Sequence, residues 1–361
     1  MSTLHFEPTQ DNPYAWDIIQ DTDQSFVEPY DELASFTKFL KINYVLTTFV
    51  GGILSFTLLY LIIFQTNGAL KNYRKMLLIC SVTDISYWAI DNLLGLKLKE
   101  KDGVYMVKFE GPAKDFDRPT RLVLIAAYVC SICFVNSVLP AQVYFRYYAL
   151  TSRPDRSQFL STGRTLGVFL LSFLAALPTF FLAYNGYGFT ARVRPGFNYG
   201  ELWYKEVPLP PVFYADVRSV YQKIYFFYGG LLISASYTAA SVMGYLTVKK
   251  INLLYSSYSE RTRRLQTQLS QYLIVQSIIP LIVSVTPLML IVVPAFLYSD
   301  TGKACLFYGV LFSWIPILNP LITMIVIVPY RQVILQKLGV HKGMREVTST
   351  NHPNRSKTES R

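Results

Sequence analysis

Two aspartates, Asp84 and Asp91, stand seven residues apart in an otherwise apolar stretch. Seven residues is close to two helical turns, so both carboxyls fall on roughly one face of a helix. Carboxyls in apolar surroundings are costly, and two readings stand for each of them. One is a carboxyl satisfied by polar side chains of neighbouring segments, such as Asn136, Ser137, Ser313 or Asn319. The other makes Asp84 part of a switch or ion site and Asp91 a ligand contact. Further on, "VYFRYYAL" closes a long apolar run with Arg146 set among Tyr144, Phe145, Tyr147 and Tyr148. A third stretch, "IPILNPLITMIVIVPYR", puts Asn319 before Pro320, whose ring removes a backbone hydrogen bond; the neighbouring amide is expected to satisfy the hole. The histidines, His5, His341 and His352, all lie outside the apolar runs, which excludes a histidine-built metal site there. No serine-nucleophile motif is present either, so neither an enzyme nor a cofactor is expected.

The elements that must hold these residues are membrane spans. The chain is 52% hydrophobic and only 16% charged, against about a quarter charged in ordinary soluble domains. Its net charge of +11 sits on basic residues that punctuate apolar segments, which argues against nucleic acid. A crossing helix needs about 20 mostly apolar residues. Seven runs qualify: 43–64, 76–96, 122–144, 166–184, 224–248, 269–298 and 304–328. The sixth carries Pro280, Pro287 and Pro294. An all-α seven-helix membrane bundle is expected over 43–328, with a polar acidic segment over 1–42 and a tail over 329–361. In that tail Val333, Ile334, Leu338 and Val340 alternate with charge, as suits either a short surface helix or a frayed segment.

Lysine and arginine set the orientation. The basic residues of the first, third and fifth connections and the tail meet few acids. The first 42 residues are acidic, with Glu7, Asp11, Asp17, Asp21 and Asp23 among them. The N-terminus is therefore expected outside and the C-terminus inside. No short apolar stretch with a cleavage site opens the chain, so the first span is expected to act as its own signal anchor. Asn354-Arg355-Ser356 is the one glycosylation sequon, and this orientation leaves it unmodified.

The Gln-rich "QTQLSQYLIVQSIIP" with a second proline seven residues on resembles the sixth span of nematode seven-transmembrane chemoreceptors of the Str superfamily, the str and srd classes particularly. "VYFRYYAL" resembles that superfamily's tyrosine-flanked arginine, "LKNYRKMLLICSVTD" its first inner loop and second span, and "LNPLITMIVIVPYR" the end of its seventh. These blocks lie in order over most of the chain. There are departures. Phe145, not an acid, precedes Arg146; the tyrosine after Asn319-Pro320 is missing; and neither the start of the third span nor the loop over 185–223 has a cysteine, so no disulfide tethers that loop.

The resemblance implies a GPCR-like receptor, multi-pass in the plasma membrane (of sensory cilia in this family), that binds an external small molecule and signals to a heterotrimeric G protein. It places ligand contacts at Trp88, Asp91, Tyr128, Tyr225, Tyr228, Thr286, Phe307 and Tyr308. Switch positions would be Asp84, Arg146, Pro280, Pro287, Asn319 and Pro320. A G-protein-facing set follows: Arg146, Tyr147, Tyr148, Arg261, Arg263, Arg264, Tyr330 and Arg331. The long second outer loop, rich in aromatics and stiffened by Pro208, Pro210 and Pro211, is expected to fold onto the bundle as a lid. A transporter or ligand-gated channel is the competing reading, although the sequence shows no paired repeat.

Overall fold

The structure is a computed structural model and describes residues 30–66, 71, 73–151, 161–207, 209–253, 278 and 281–337. Among the described residues five helices are each long and apolar enough to cross a membrane: α1 (Ala34–Phe64), α2 (Arg74–Leu94), α3 (Arg118–Thr151), α4 (Thr162–Gly188) and α5 (Val220–Leu253). A π-helical turn, Leu281–Val285, runs into the shorter apolar helix α6 (Thr286–Phe296). Then α7 (Ala304–Ser313) and α8 (Ile315–Val326) make one apolar span bent by 44°, and α9 (Val328–Lys337) follows. Pro280 and most of the first half of the expected sixth span lie outside the described residues. Helix α3 packs against α2, α4 and α5, while α1 packs against α2 and α8. Large apolar side chains such as Phe49, Leu171 and Phe227 stand exposed on α1, α4 and α5, a surface suited to lipid.

Proline chemistry explains the bent span. Pro316 cannot donate to the Phe312 carbonyl, nor Pro320 to the Pro316 carbonyl. Side chains from neighbouring helices fill both holes: the Tyr87 hydroxyl of α2 donates to Phe312 O (3.1 Å), and the Ser55 hydroxyl of α1 donates to Pro316 O (3.2 Å). The amide of Asn319, expected to fill the hole made by Pro320, instead donates to Asp84 Oδ1 (3.0 Å). The carboxyl is the stronger acceptor, and Ser55 is already in place. Pro287 opens α6 at its first turn, just after the π turn, where the Thr286 hydroxyl donates to Leu281 O (2.8 Å).

One end of the bundle carries a small sheet that a helical reading alone does not describe. Strands β2 (Leu96–Lys101) and β3 (Val104–Phe109) form a hairpin, and β5 (Val212–Asp216) from the long second loop adds beside β3; β1 (Tyr30–Asp31) pairs separately with β4 (Glu206–Val207). The hairpin turns on Asp102-Gly103, both at positive φ (53° and 72°), as a type I′ turn requires. Alternation gives the sheet two buried faces. Leu98, Val107, Phe109, Phe213 and Ala215 pack into the bundle, whereas Val104, Met106, Val212 and Tyr214 pack under Tyr199, Trp203 and Tyr204 of the loop. The second loop is thus folded onto the bundle, and the four described cysteines, Cys80, Cys130, Cys133 and Cys305, are free.

Charge does the tethering there. Asp102 at the hairpin tip and Asp216 at the end of β5 are cross-linked by Arg194 of the loop and Arg218 just before α5. Arg194 pairs with Asp102 at 2.9 Å and with Asp216 at 2.8 Å; Arg218 pairs with them at 3.1 and 3.2 Å. The Tyr199 hydroxyl also donates to Asp216 (3.0 Å), whose side chain is fully buried. Burial alone would raise the Asp102 carboxyl, but hydrogen bonds from Arg218 and Arg194 outweigh it and hold it below the ordinary range.

Candidate functional site

Beneath the hairpin lies a cavity with about 60 Å³ of room for the centres of water-sized groups. Its roof is Leu96, Tyr105 and Val107 of the hairpin; its walls come from Ile125, Tyr128, Val129 and Ile132 of α3, Tyr187 of α4, and Tyr225, Phe226, Gly229 and Gly230 of α5. The remaining side is closed by Leu288, Met289, Ile291 and Val292 of α6 with Phe312 of α7. The lining is apolar apart from phenol groups and the thiol of Cys133, and it contains no charged side chain. A concave, mostly apolar site with a few polar groups is the usual form of a small-molecule pocket.

Of the residues expected to touch ligand, Tyr128 and Tyr225 line this cavity. Asp91 sits behind it, buried, in contact with the hydroxyls of Tyr128 and Ser313. Tyr87 links the same group to α7, its hydroxyl 3.4 Å from that of Tyr128. Tyr308 is partly buried against the core of this end. The others stand apart from the cavity. Trp88 faces α1, where Gly51 and Gly52 admit its ring so closely that a Cβ on Gly52 would come within 2.8 Å; its indole N–H donates to Thr48 O. The Tyr228 hydroxyl is spent on Ala175 O of α4 (2.7 Å), Thr286 is exposed, and Phe307 packs on Phe36 and Phe39. Spacing along an apolar helix does not reveal which face turns inward when both faces are apolar. The roof residues Tyr105 and Val107 are not named by the sequence reading, although "LKLKEKDGVYMVKF" carries a hairpin signal in Asp-Gly between two short strand-forming runs.

Above the cavity, Glu100 pairs with Tyr105 across the hairpin, is fully buried, and has neither carboxylate oxygen at bonding geometry to a donor. Burial pushes its carboxyl up to about 7, the nearby Asp300 adding to the effect. Its neighbour Lys99 lies over the Tyr204 ring, and burial lowers that ammonium to about 8.

A second, smaller cavity of about 20 Å³, room for one or two waters, lies deeper in the bundle. Asp84 and Asn319 line it together with Asn136, Gln142 and Tyr237. Asn136 donates to the Ser284 hydroxyl of the π turn (2.9 Å) and accepts from Tyr237 of α5 (3.5 Å). This joins α3, α5 and the π turn before α6 at the wall of the second cavity.

At the far end Arg146 lies on α3. Phe145, standing where an acid was absent, is buried against Tyr73. Tyr147 and Tyr148 are half-buried, with Arg164 donating to the Tyr148 hydroxyl (3.4 Å). Arg331 is exposed, whereas Tyr330, expected on a partner-facing surface, is fully buried with its hydroxyl 2.7 Å from that of Thr66. Its ring completes the core of this end beside Leu61, Met76 and Met324. Arg261, Arg263 and Arg264 lie outside the described residues.

Comparison with known proteins agrees with this architecture. The family model described as "Serpentine type 7TM GPCR chemoreceptor Str" matches residues 40–335. "Serpentine receptor class r-10" of Caenorhabditis elegans is 26% identical over 325 residues, covering 85% of this chain and 94% of the relative. The protein of the same name from Caenorhabditis briggsae is 27% identical over 329 residues with the same coverage. Among solved structures, squid rhodopsin superposes with a TM-score of 0.58 at 12% identity over 90% of each chain, a likeness of fold alone.

Proposed function

We propose, from the premise that this chain belongs to the Str family of nematode serpentine seven-transmembrane GPCR chemoreceptors, that it binds an external small molecule in the cavity beneath the hairpin and signals to a heterotrimeric G protein. The observation that carries the reading is the cavity itself, an uncharged pocket between α3, α5 and α6 with a folded roof. The hairpin end is then outside, with the N-terminus, and the protein is a multi-pass receptor of the plasma membrane. Tyr147, Tyr148 and Arg331 face the G protein on the inner side, and Arg146, Arg261, Arg263 and Arg264 are assigned to that side by their place in the sequence.

Transmission follows from helix packing. A ligand shifts the balance between two arrangements only by its differential affinity for them. Helix α6 touches the cavity through Leu288 and Ile291, and its π turn is held to α3 by Ser284 and Asn136. A ligand that reseats α6 pulls on that bond and on the Asp84–Asn319 pair beside it. The test is ligand-evoked dissociation of G-protein subunits in cells with the receptor at the surface. A response weakened by Asn136→Ala at unchanged surface expression supports the route. Ligand-evoked ion or substrate flux without G-protein dissociation overturns it in favour of a channel or transporter.

A further inference from the structure

We infer that Glu100 is an external proton site: its protonated carboxyl lets the hairpin stay joined to the loop between α6 and α7, and its ionisation parts them. This rests on the receptor reading above, which puts the hairpin end outside. The junction is built around one residue. Thr301 donates to the Glu100 carbonyl through its amide (3.3 Å) and its hydroxyl (3.1 Å), and Lys101 bridges to Asp300. The Tyr204 hydroxyl reaches both sides, 3.3 Å from Leu98 O and 3.0 Å from Gly302 O. Tyr298, just after α6, holds a positive φ of 53°, which a tyrosine adopts only under constraint. Its ring lies under Arg218 (4.5 Å) and so near the hairpin tip that a Cβ on Gly103 would come within 2.7 Å. The outer end of α6 is thereby fixed to the roof of the cavity.

The Glu100 side chain is fully buried in this junction with neither oxygen hydrogen-bonded. It faces Tyr105 from β3, Cys305 from α7, and Asp300 and Thr301 from the loop. Asp300 is a like charge, and Thr301 directs its hydroxyl at the carbonyl instead. The basic neighbours are turned elsewhere. Lys99 lies over the Tyr204 ring (4.3 Å), Lys101 pairs with Asp300 at 3.4 Å, and Arg194 and Arg218 hold Asp102 and Asp216. No histidine belongs to any of these elements. A buried carboxylate without a partner is far costlier than the neutral acid. The group therefore keeps its proton or reaches water, and reaching water requires the hairpin tip to leave the loop. The proton comes from the medium and returns to it, so no other reactant is needed.

The experiment follows hydrogen exchange over 100–105 and 296–303 in the full-length receptor purified in detergent, from about pH 6 to about pH 8, with intrinsic amide rates divided out. Wild-type protection is expected to fall as pH rises through about 7, together with the infrared band of a protonated carboxyl, while α1 and α2 keep their protection. Glu100→Gln, which keeps the shape of the neutral acid, stays protected throughout and lacks the titrating band. Asp300→Asn, which removes the like charge but keeps the acceptor for Gly302, moves the transition to lower pH. Burial lowers Lys99 to about 8, so Lys99→Arg is the control and leaves the transition in place. Protection that falls equally in Glu100→Gln overturns the proposal, as does a transition abolished by Lys99→Arg or one that follows sodium or calcium instead of pH. In cells, G-protein dissociation evoked by non-ionising alcohols and ketones needs about tenfold more odorant at pH 8 than at pH 6, because the protonated share falls by about that factor. The difference vanishes in Glu100→Gln, and equal potency in the wild type overturns the modulation. A pH-dependent junction with no dissociation at either pH keeps the proton site and overturns the receptor reading instead.

Discussion

Single polar groups in this bundle are matched to single defects. Ser55 and Tyr87 are separated by 261 and 225 residues from the carbonyls they satisfy, so nothing in local sequence announces the pairing, whereas the prolines that create the need are plain to read. Ser55→Ala is expected to destabilise the protein by about 1 kcal/mol, as is Tyr87→Phe, which also releases Tyr128. Unfolding midpoints in detergent measure this, and an unchanged midpoint in both variants would show the carbonyls are content without them. Glu100 makes a prediction about pH. Its folded carboxyl is raised to about 7 from an ordinary 4.5, so the fold holds the proton more tightly than the unfolded chain does. Stability on its account is full below about 4.5, falls as pH rises towards 7, and is flat above. Glu100→Gln should remove that decline and leave the variant the more stable at pH 8. A wild type and variant with parallel stability-against-pH curves would sink the assignment.

Elements at the hairpin end are coupled through charge where a disulfide is absent. The missing cysteines were evident in the sequence, and so was the tendency of an aromatic, proline-rich loop to fold down. The substitute was not, since Asp102 bonds to arginines 92 and 116 residues away. Removing Asp216 leaves two arginines short of a carboxylate and takes from Tyr199 its 3.0 Å acceptor. A fully buried broken pair costs about 3–5 kcal/mol; with arginines partly exposed, Asp216→Ala is expected to cost about 2 kcal/mol. Hydrogen exchange should rise across 190–217 while α1 and α2 keep their protection. Exchange rising evenly over the whole bundle would contradict a local clasp. The hairpin itself was signalled by Asp102-Gly103 and by the Leu-Lys alternation of β2, whereas β3 opens with an unbroken apolar run, Val104 to Val107, and lysines stand in both strands. Lys97 and Lys99 are in fact buried under Tyr204, and Lys108 is bound by Glu110 and Glu206.

For the molecule as a whole, hydropathy placed the spans and the ordered blocks placed the family. The face that each span turns inward needed the packed bundle, because α1, α4 and α5 are apolar on nearly every side. Tyr128 and Tyr225 line the cavity, whereas Trp88 of α2 and Phe307 of α7, named beside them, turn to α1. Orientation has its own test: Asn354 should carry no glycan in a eukaryotic membrane, and a glycosidase-sensitive shift removed by Asn354→Gln would reverse it. The central claim meets its most direct test in G-protein dissociation recorded in cells carrying the receptor at the surface, during exposure to a panel of odorants and small metabolites. Concentration-dependent dissociation, abolished by Gly229→Leu at equal surface expression, is the predicted result; dissociation that persists unchanged in that variant would place the ligand somewhere other than the cavity beneath the hairpin.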